Sequence, residues 1–425
     1  MRLLKLTFLW LTGFLLVSSA VLGQAARSPF SSFGLGEPYS NALTQHMGMG
    51  GVGVSNPSYW YVNNMNPAML PYNRLTTFQA SMMGEQRYQS SDTLSERSGS
   101  GNLNYLVLAI PVMPGKWTSS ISLQPYTHLN YQTTYRQDIN GDPNNTYTTT
   151  EKGSGGVNQF TWSNGLTLNS WLSVGLKATY LFSAIVRENS NILTKTNQAL
   201  LYSPNITERT FVTDFQFSPA IHIHKDSISS KNYRINFGLV YDFGTNLKSS
   251  FNPHIERRNL TGIVDSLTTI KNYDGHVTIP SSMSAGISLS KGYDWTVAVD
   301  GYYADYSTFR DMAGINPYAS NAWKVNAGFE ITPDQISMSN YLKRLTYRTG
   351  VSIENSAYLV NGNPVKDFGI TFGVSLPVSR ISSLDLALKV GHKGDKTLNT
   401  IEENYLKLYF GLTFNDQWFI KRRFD

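Results

Sequence analysis

The chain has 425 residues, with 35 Lys and Arg against 29 Asp and Glu, and no cysteine. A formal charge of +6 without any long basic run argues against nucleic acid as a partner, and the absence of cysteine excludes disulfides and thiolate chemistry. Aromatic residues reach 13% while charged residues are only 15% and mean hydropathy is −0.25, so the chain is poor in charge without being oily.

Arg2 and Lys5 precede an apolar run over 6–17 that only Thr7, Thr12 and Gly13 interrupt, and small residues follow in "SSAVLGQAA". This is the layout of a secretory signal peptide cut near Gly23–Gln24, since the run is shorter than the roughly 20 residues of a spanning helix. Residues 1–23 are expected to leave an exported chain of 425 − 23 = 402 residues, its charge +4 once Arg2 and Lys5 are gone. No later stretch approaches about 18 consecutive apolar residues, which excludes a bundle of membrane helices.

The next segment contains "MGMGGVGVSNPSYWYVNNMNPAML" (47–70), with Gly48-x-Gly50-x-x-Gly53 inside it. Those letters match a dinucleotide fingerprint, which requires a strand before it and a helix after it. Here the preceding residues are a Gly/Pro/Ser/Asn-rich coil, and Pro57 follows too soon for a long helix. The glycines are read instead as those of a coil that must pack closely.

From about Leu75 onward, alternating segments are separated by turn-rich breaks. In "YLKLYFGLTF" (405–414), Leu406, Leu408, Phe410, Leu412 and Phe414 share one face, while Tyr405, Lys407, Tyr409, Gly411 and Thr413 share the other. An oily face opposite a polar or small one is the dyad pattern of a strand between lipid and a wet lumen. Comparable runs occur at 103–112, 117–135, 172–187, 211–224, 233–244, 283–290, 295–307, 323–332, 346–354, 368–378 and 384–391. No helical period of 3.6 competes with them. Because bacterial single-chain barrels use even strand numbers, the expectation is an all-β, transmembrane antiparallel β-barrel of about 14 strands in the outer membrane. "SKGYD" (290–294) and "NDQ" (415–417) read as tight turns, and 188–209 and 248–275 as long outer loops or extended hairpin tips. Lys421, Arg422 and Arg423 cannot sit in lipid and belong to a short tail at the periplasmic rim.

An export signal, a Gly/Asn-rich coil ending in Asn66-Pro67-Ala68, and a barrel of this size together resemble the FadL family of outer-membrane transporters for long-chain fatty acids and aromatic hydrocarbons. The resemblance implies that residues 24–72 form an N-terminal hatch plugging the lumen of a barrel over 73–425, and that Asn66, Pro67 and Ala68 carry the hatch motif. Tyr59, Trp60 and Tyr61 would line a ligand path or pack the hatch. "GKWTSSISLQPYTHLNYQTTY" (115–135) is similar to the family's kinked third strand, so Gln124 and Pro125 would mark a lateral opening; independently, a proline inside a strand removes a ladder hydrogen bond.

No nucleophile elbow, metalloprotease motif or diagnostic carboxylate pair is present, so neither catalysis nor a cofactor is expected. His128 is the single general-base candidate, and His222 and His224 share a strand face without completing a metal ligand set, so no metal is expected. Two functions remain: passive uptake of hydrophobic, fatty-acid-like molecules by a monomeric barrel embedded in outer-membrane lipid, or a scaffold or shuttle subunit that binds partner proteins in a secretion system.

Overall fold

The computed structural model describes residues 25–139, 142–195, 198–199, 202–228, 232–259, 264–269, 271–318, 320–379 and 381–417. The expected signal segment and the basic residues 421–423 lie outside them. The alternation in the sequence becomes one antiparallel sheet closed into a barrel of 14 wall strands. These are β1 (Thr76–Ser90), β2 (Ser95–Met113), β3 (Trp117–Pro125 and Thr127–Ile139), β4 (Asp142–Thr167), β5 (Leu172–Lys195), β6 (Tyr202–Lys225) and β7 (Tyr233–Asp242 and Thr245–Asn259). They continue with β8 (Val264–Thr269, Tyr273–Ile279 and Ser282–Lys291), β9 (Trp295–Ala304), β10 (Ala322–Ile331), β11 (Thr346–Val360), β12 (Asn363–Pro377), β13 (Ser383–Gly394) and β14 (Glu402–Asp416). Pairing of β14 with β1, from Thr76–Asp416 to Ser90–Glu402, closes the cylinder and removes the edges that an open sheet would expose.

The two faces follow the dyad rule. On β14, Leu406, Leu408, Phe410 and Phe414 are exposed on the outside, Leu408 at 56%, whereas Tyr405, Tyr409 and Thr413 are buried inside. Exposed Phe, Ile, Leu and Val on the other strands extend this apolar belt around the wall. A solvated protein would not present such a surface, and a bilayer accepts it at roughly 25 cal/mol per Å² of apolar area removed from water.

The strands ending at 113, 167, 291 and 377 connect through short turns, and the first wall strand begins and the last one finishes at that same end of the barrel. Strands β4 to β8 run on past the opposite rim, so the described residues of 188–209 and 248–275 are extended, paired strands rather than irregular loops. Short turns face the periplasm in outer-membrane barrels and long excursions face outward, which sets the orientation.

Residues 25–73 run through the lumen. They hold a single turn of helix, α1 (Thr44–Gly48), and two 3-10 turns, Pro29–Ser32 and Pro67–Tyr72. Leu43, Val62 and Leu70 bury against Tyr105, Val107 and Ala109 of β2, while Val54 and Ala68 bury against Ala220 and Val240. Above this plug the loop over 305–318 folds inward. Its Phe309 joins a core of Leu129, Leu181, Val212 and Leu247, fixed by a backbone bridge between Arg310 and Thr278.

Candidate functional site: the plugged lumen

A coil inside a barrel cannot use sheet pairing throughout, so its backbone groups need other partners. Wall side chains supply them. Gln79 accepts from the Val62 amide at 2.8 Å, Thr371 accepts from Gly50 at 2.8 Å and donates to the Gly48 carbonyl at 3.1 Å, and Asp300 accepts from Gly53 and Val54 at 2.6 and 2.7 Å. The fingerprint glycines serve this docking. Gly50 has a φ of +77°, and a Cβ there would stand 2.8 Å from the carbonyls of Ala327 and Val351, a position only glycine fills without strain.

The Asn-Pro-Ala turn is built the same way. Asn66 caps the 3-10 turn by accepting from Ala68 N at 3.0 Å, and its amide donates to Val54 O at 2.9 Å. Pro67 and Ala68 press into β4 and β5 where the wall carries only glycine. A Cβ on Gly175 would meet Ala68 N at 2.4 Å. Tyr59, Trp60 and Tyr61 line a cavity of about 740 Å³ at the periplasmic mouth. Tyr61 is buried beside Arg348 and His46, Tyr59 accepts from Arg234 at 3.3 Å, and Trp60 is exposed.

At β3 the wall is interrupted. Its ladder to β2 ends at Leu106–Leu123, and its ladder to β4 shifts register between Pro125–Asn158 and Leu129–Gly155. Among the described residues no pairing joins 95–105 of β2 to 127–139 of β3. The N-terminal segment occupies that breach. Glu37 and Pro38 pair with His128 and Thr127, Ser28 N donates to Asn130 O at 2.8 Å, and Arg27 reaches Glu96 of β2 at 3.2 Å. Gln124 points inward and ties two plug segments together, donating to Asn41 at 2.6 Å and accepting from Asn64 at 3.0 Å.

Sequence reasoning missed the buried ionic cluster between plug and wall. Arg87 contacts Glu403 at 2.6 Å, Glu85 at 2.7 Å and Glu37 at 3.3 Å, Lys393 contacts Glu37 at 2.7 Å, and Lys407 contacts Glu85 at 3.4 Å. Burial pushes the Glu37 carboxyl up, but the cations Lys393 and Arg87 outweigh it and hold the group well below the usual carboxylate range. The only early signal was several charged residues at lumen-facing positions. His128 lies 3.4 Å from Glu37 and edge-on to Tyr39. His222 and His224 stack together at 5.2 Å next to Tyr72, and among the described residues no group of three or more His, Asp or Glu could hold a metal ion.

A second cavity of about 230 Å³ lies between the plug and the inward-folded loop. Tyr126, Tyr302, Tyr306, Phe309, Tyr318 and Trp323 line it, with Lys177 and Asp242 on the polar side.

The BamG family model matches residues 5–425. The chain belongs to the BamG family. No curated protein matches it. Among solved structures it is similar to the toluene transporter TbuX of Ralstonia pickettii, at 12% identity and a TM-score of 0.57 over 90% of this chain and 99% of that one. It is also similar to a FadL homologue of Pseudomonas aeruginosa, at 12% identity and a TM-score of 0.58 over 89% and 98%, and to the toluene transporter TodX of Pseudomonas putida, at 14% identity and a TM-score of 0.56 over 90% and 98%. This BamG-family chain therefore has the FadL-type fold and spans the outer membrane.

Proposed function

We propose that the barrel passes small hydrophobic molecules across the outer membrane as a monomer, with residues 25–73 acting as its hatch and the break at Gln124–Pro125 marking a sideways exit. The observation that carries this reading is the aromatic-lined cavity of about 230 Å³ above the plug. A cavity of about 150 Å³ takes benzene, so this one has room for a single-ring compound. The fatty-acid-like substrate expected from the sequence narrows accordingly to a compound the size of one aromatic ring. The names of the structural relatives, toluene transporters, favour the same class.

Native mass spectrometry on protein extracted gently from its own outer membrane tests the reading. A co-purifying small apolar mass, lost in Phe309→Ala or Tyr306→Ala, supports passage. A barrel that never carries such a mass, and binds no toluene when it is added, overturns it.

A second reading, a platform for periplasmic partner proteins, has one observation in its favour. The longest periplasmic turn, 332–345, holds Ile336 and Met338 at 86% and 103% exposure, and exposed apolar groups at a rim mark interaction sites. In the same experiment, a co-purifying protein lost on Ile336→Asp with Met338→Asp supports that reading.

A further inference from the structure

The two cavities stand on opposite faces of one short segment. Val54 lines the outer cavity and Asn56 lines the periplasmic one. Wall strands mark the same level. On β7, Val240 borders the outer cavity and Asn236 the periplasmic one, and on β10 Asn326 and Glu330 divide in the same way.

Between those levels the wall meets the plug with glycines and a few polar side chains, Asp300 and Ser288 among them. A Cβ on Gly238 would lie 1.8 Å from Val54 O, one on Gly328 would lie 2.2 Å from Met49 O, and one on Gly286 would lie 3.0 Å from Ser55 Oγ. Ala298 of β9 completes this small-residue level, packed on Met49 and Val52. The partition is thus the plug's own backbone, seated against glycine.

One carboxylate holds most of it. Asp300 accepts from Gly53 N at 2.6 Å, Val54 N at 2.7 Å and Ser55 Oγ at 3.0 Å. Ser288 Oγ adds a hydrogen bond to Ser55 O at 2.6 Å, and Asn66 adds one to Val54 O. The sideways breach, by comparison, is already filled by residues 25–38, which bind both of its edges.

We propose that ligand has an axial exit: residues 53–56 form a door between the two cavities, Asp300 is the positioning residue that latches it, and the periplasmic cavity is the chamber that receives what passes. That chamber presents Tyr59, Trp60, Tyr61 and Tyr293 together with Arg234 and Arg344. It therefore fits a small aromatic compound bearing an anionic or hydrogen-bonding substituent, the ring meeting aromatic faces and the substituent meeting a guanidinium. This inference rests on the passage of small molecules proposed above and sets an axial exit in place of the sideways one.

The chain has no cysteine, so a disulfide can serve as a reversible lock. In Ser55→Cys with Asp300→Cys the latch carboxylate is gone, and oxidation replaces it with a covalent bond between positions whose side chains now touch at 3.0 Å. The probe is benzenesulfonate, a permanently charged aromatic that does not cross lipid unaided, trapped in vesicles containing the full-length protein. We expect efflux several-fold above wild type when the pair is reduced and a fall to the wild-type rate or below on oxidation. Asp300→Asn gives a smaller increase. Heat-modifiable electrophoretic mobility verifies that each barrel is folded.

A second lock, Pro38→Cys with Thr127→Cys, tethers the N-terminal segment to the breach at a registered cross-strand pair, whose Cα separation of about 4.5–5.5 Å suits a disulfide. Its oxidation should leave efflux unchanged. If this lock stops efflux and the Ser55–Asp300 lock does not, the axial exit is overturned and passage by the sideways route stands. If no folded variant releases the probe in either redox state, the axial exit is overturned, and toluene binding by the same protein decides the passage reading separately.

Discussion

Gly48 of α1 and Gly373 of β12 meet so closely that a Cβ on Gly48 would stand 2.8 Å from the Gly373 Cα. Both residues have ordinary negative φ, so the requirement for glycine here is steric and not conformational. Around this contact Gln45 donates to Asp385 at 2.7 Å, and Thr44 bonds Ser81 at 2.9 Å. Gly48→Val is expected to unseat the first half of the plug while leaving the wall intact, since wall pairing does not involve it. Limited proteolysis in detergent reads the difference: cleavage within 25–73 should speed up, and heat-modifiable mobility of the barrel should be unchanged.

The belt predicts a lipid-facing penalty. Leu408→Arg places a cation among Phe410, Leu406 and neighbouring apolar groups on the outside of β14, and should cost about 2–4 kcal/mol if the position lies near the bilayer midplane. Thr413→Ser, inside the lumen and one methyl smaller, should cost well under half of that. Urea unfolding in phospholipid vesicles, followed by gel mobility, compares the two.

Removing one member of the ionic cluster should do more harm than removing a pair. Arg87→Ala leaves Glu403 and Glu85 buried without their main cation, a loss of about 3–5 kcal/mol. Adding Glu403→Gln relieves one of those stranded charges, so the double variant should recover part of the stability. A double-mutant cycle from the same urea experiment checks the sign, and simple additivity would contradict the assignment.

His46 gives the plug a pH dependence. Burial first, and the neighbouring Arg348 cation second, push its pKa down from the ordinary 6.5 to about 3. The ring lies edge-on to Tyr61. Because the docked plug holds the imidazole neutral, its stability is constant above the undocked pKa of 6.5. It then falls by about 1.4 kcal/mol per pH unit as pH drops toward 3. Glu37, with its depressed pKa, adds a loss only in stronger acid, below the ordinary carboxylate range. Protection factors for amide exchange over 44–55 should therefore fall between neutral pH and about pH 4, and His46→Phe should flatten that slope. An unchanged slope in the variant would assign the effect elsewhere.

Much of the wall was legible because its information is local. A residue's neighbours two positions away decide which face it joins, so Leu406 to Phe414 declared an oily face before any partner strand was known, and β14 is built that way. The break in β3 was legible for a similar reason, since Pro125 cannot donate to a ladder. The residues over 142–167 were harder. They are rich in Thr, Asn, Gly and Ser and lack a clear oily face over their outer half, yet they form one of the longest strands of the wall, held by β3 and β5 on either side.

The chain by itself determined most of the wall strands, the lipid-facing side of those with clear alternation and the glycine-rich character of the N-terminal segment, because alternation and backbone freedom are properties of adjacent residues. Only the tertiary structure decided what the inward-facing residues do. Gly175, Gly238, Gly328 and Gly373 look in sequence like any small lumen residue, and become sockets only when a particular plug residue arrives opposite each. Asp300 and the Arg87 cluster gain their roles in the same way, because a buried charge is tolerable only beside its partners. Those partners stand as much as 375 positions away, as Ser28 does from Glu403, and barrel closure alone brings them together.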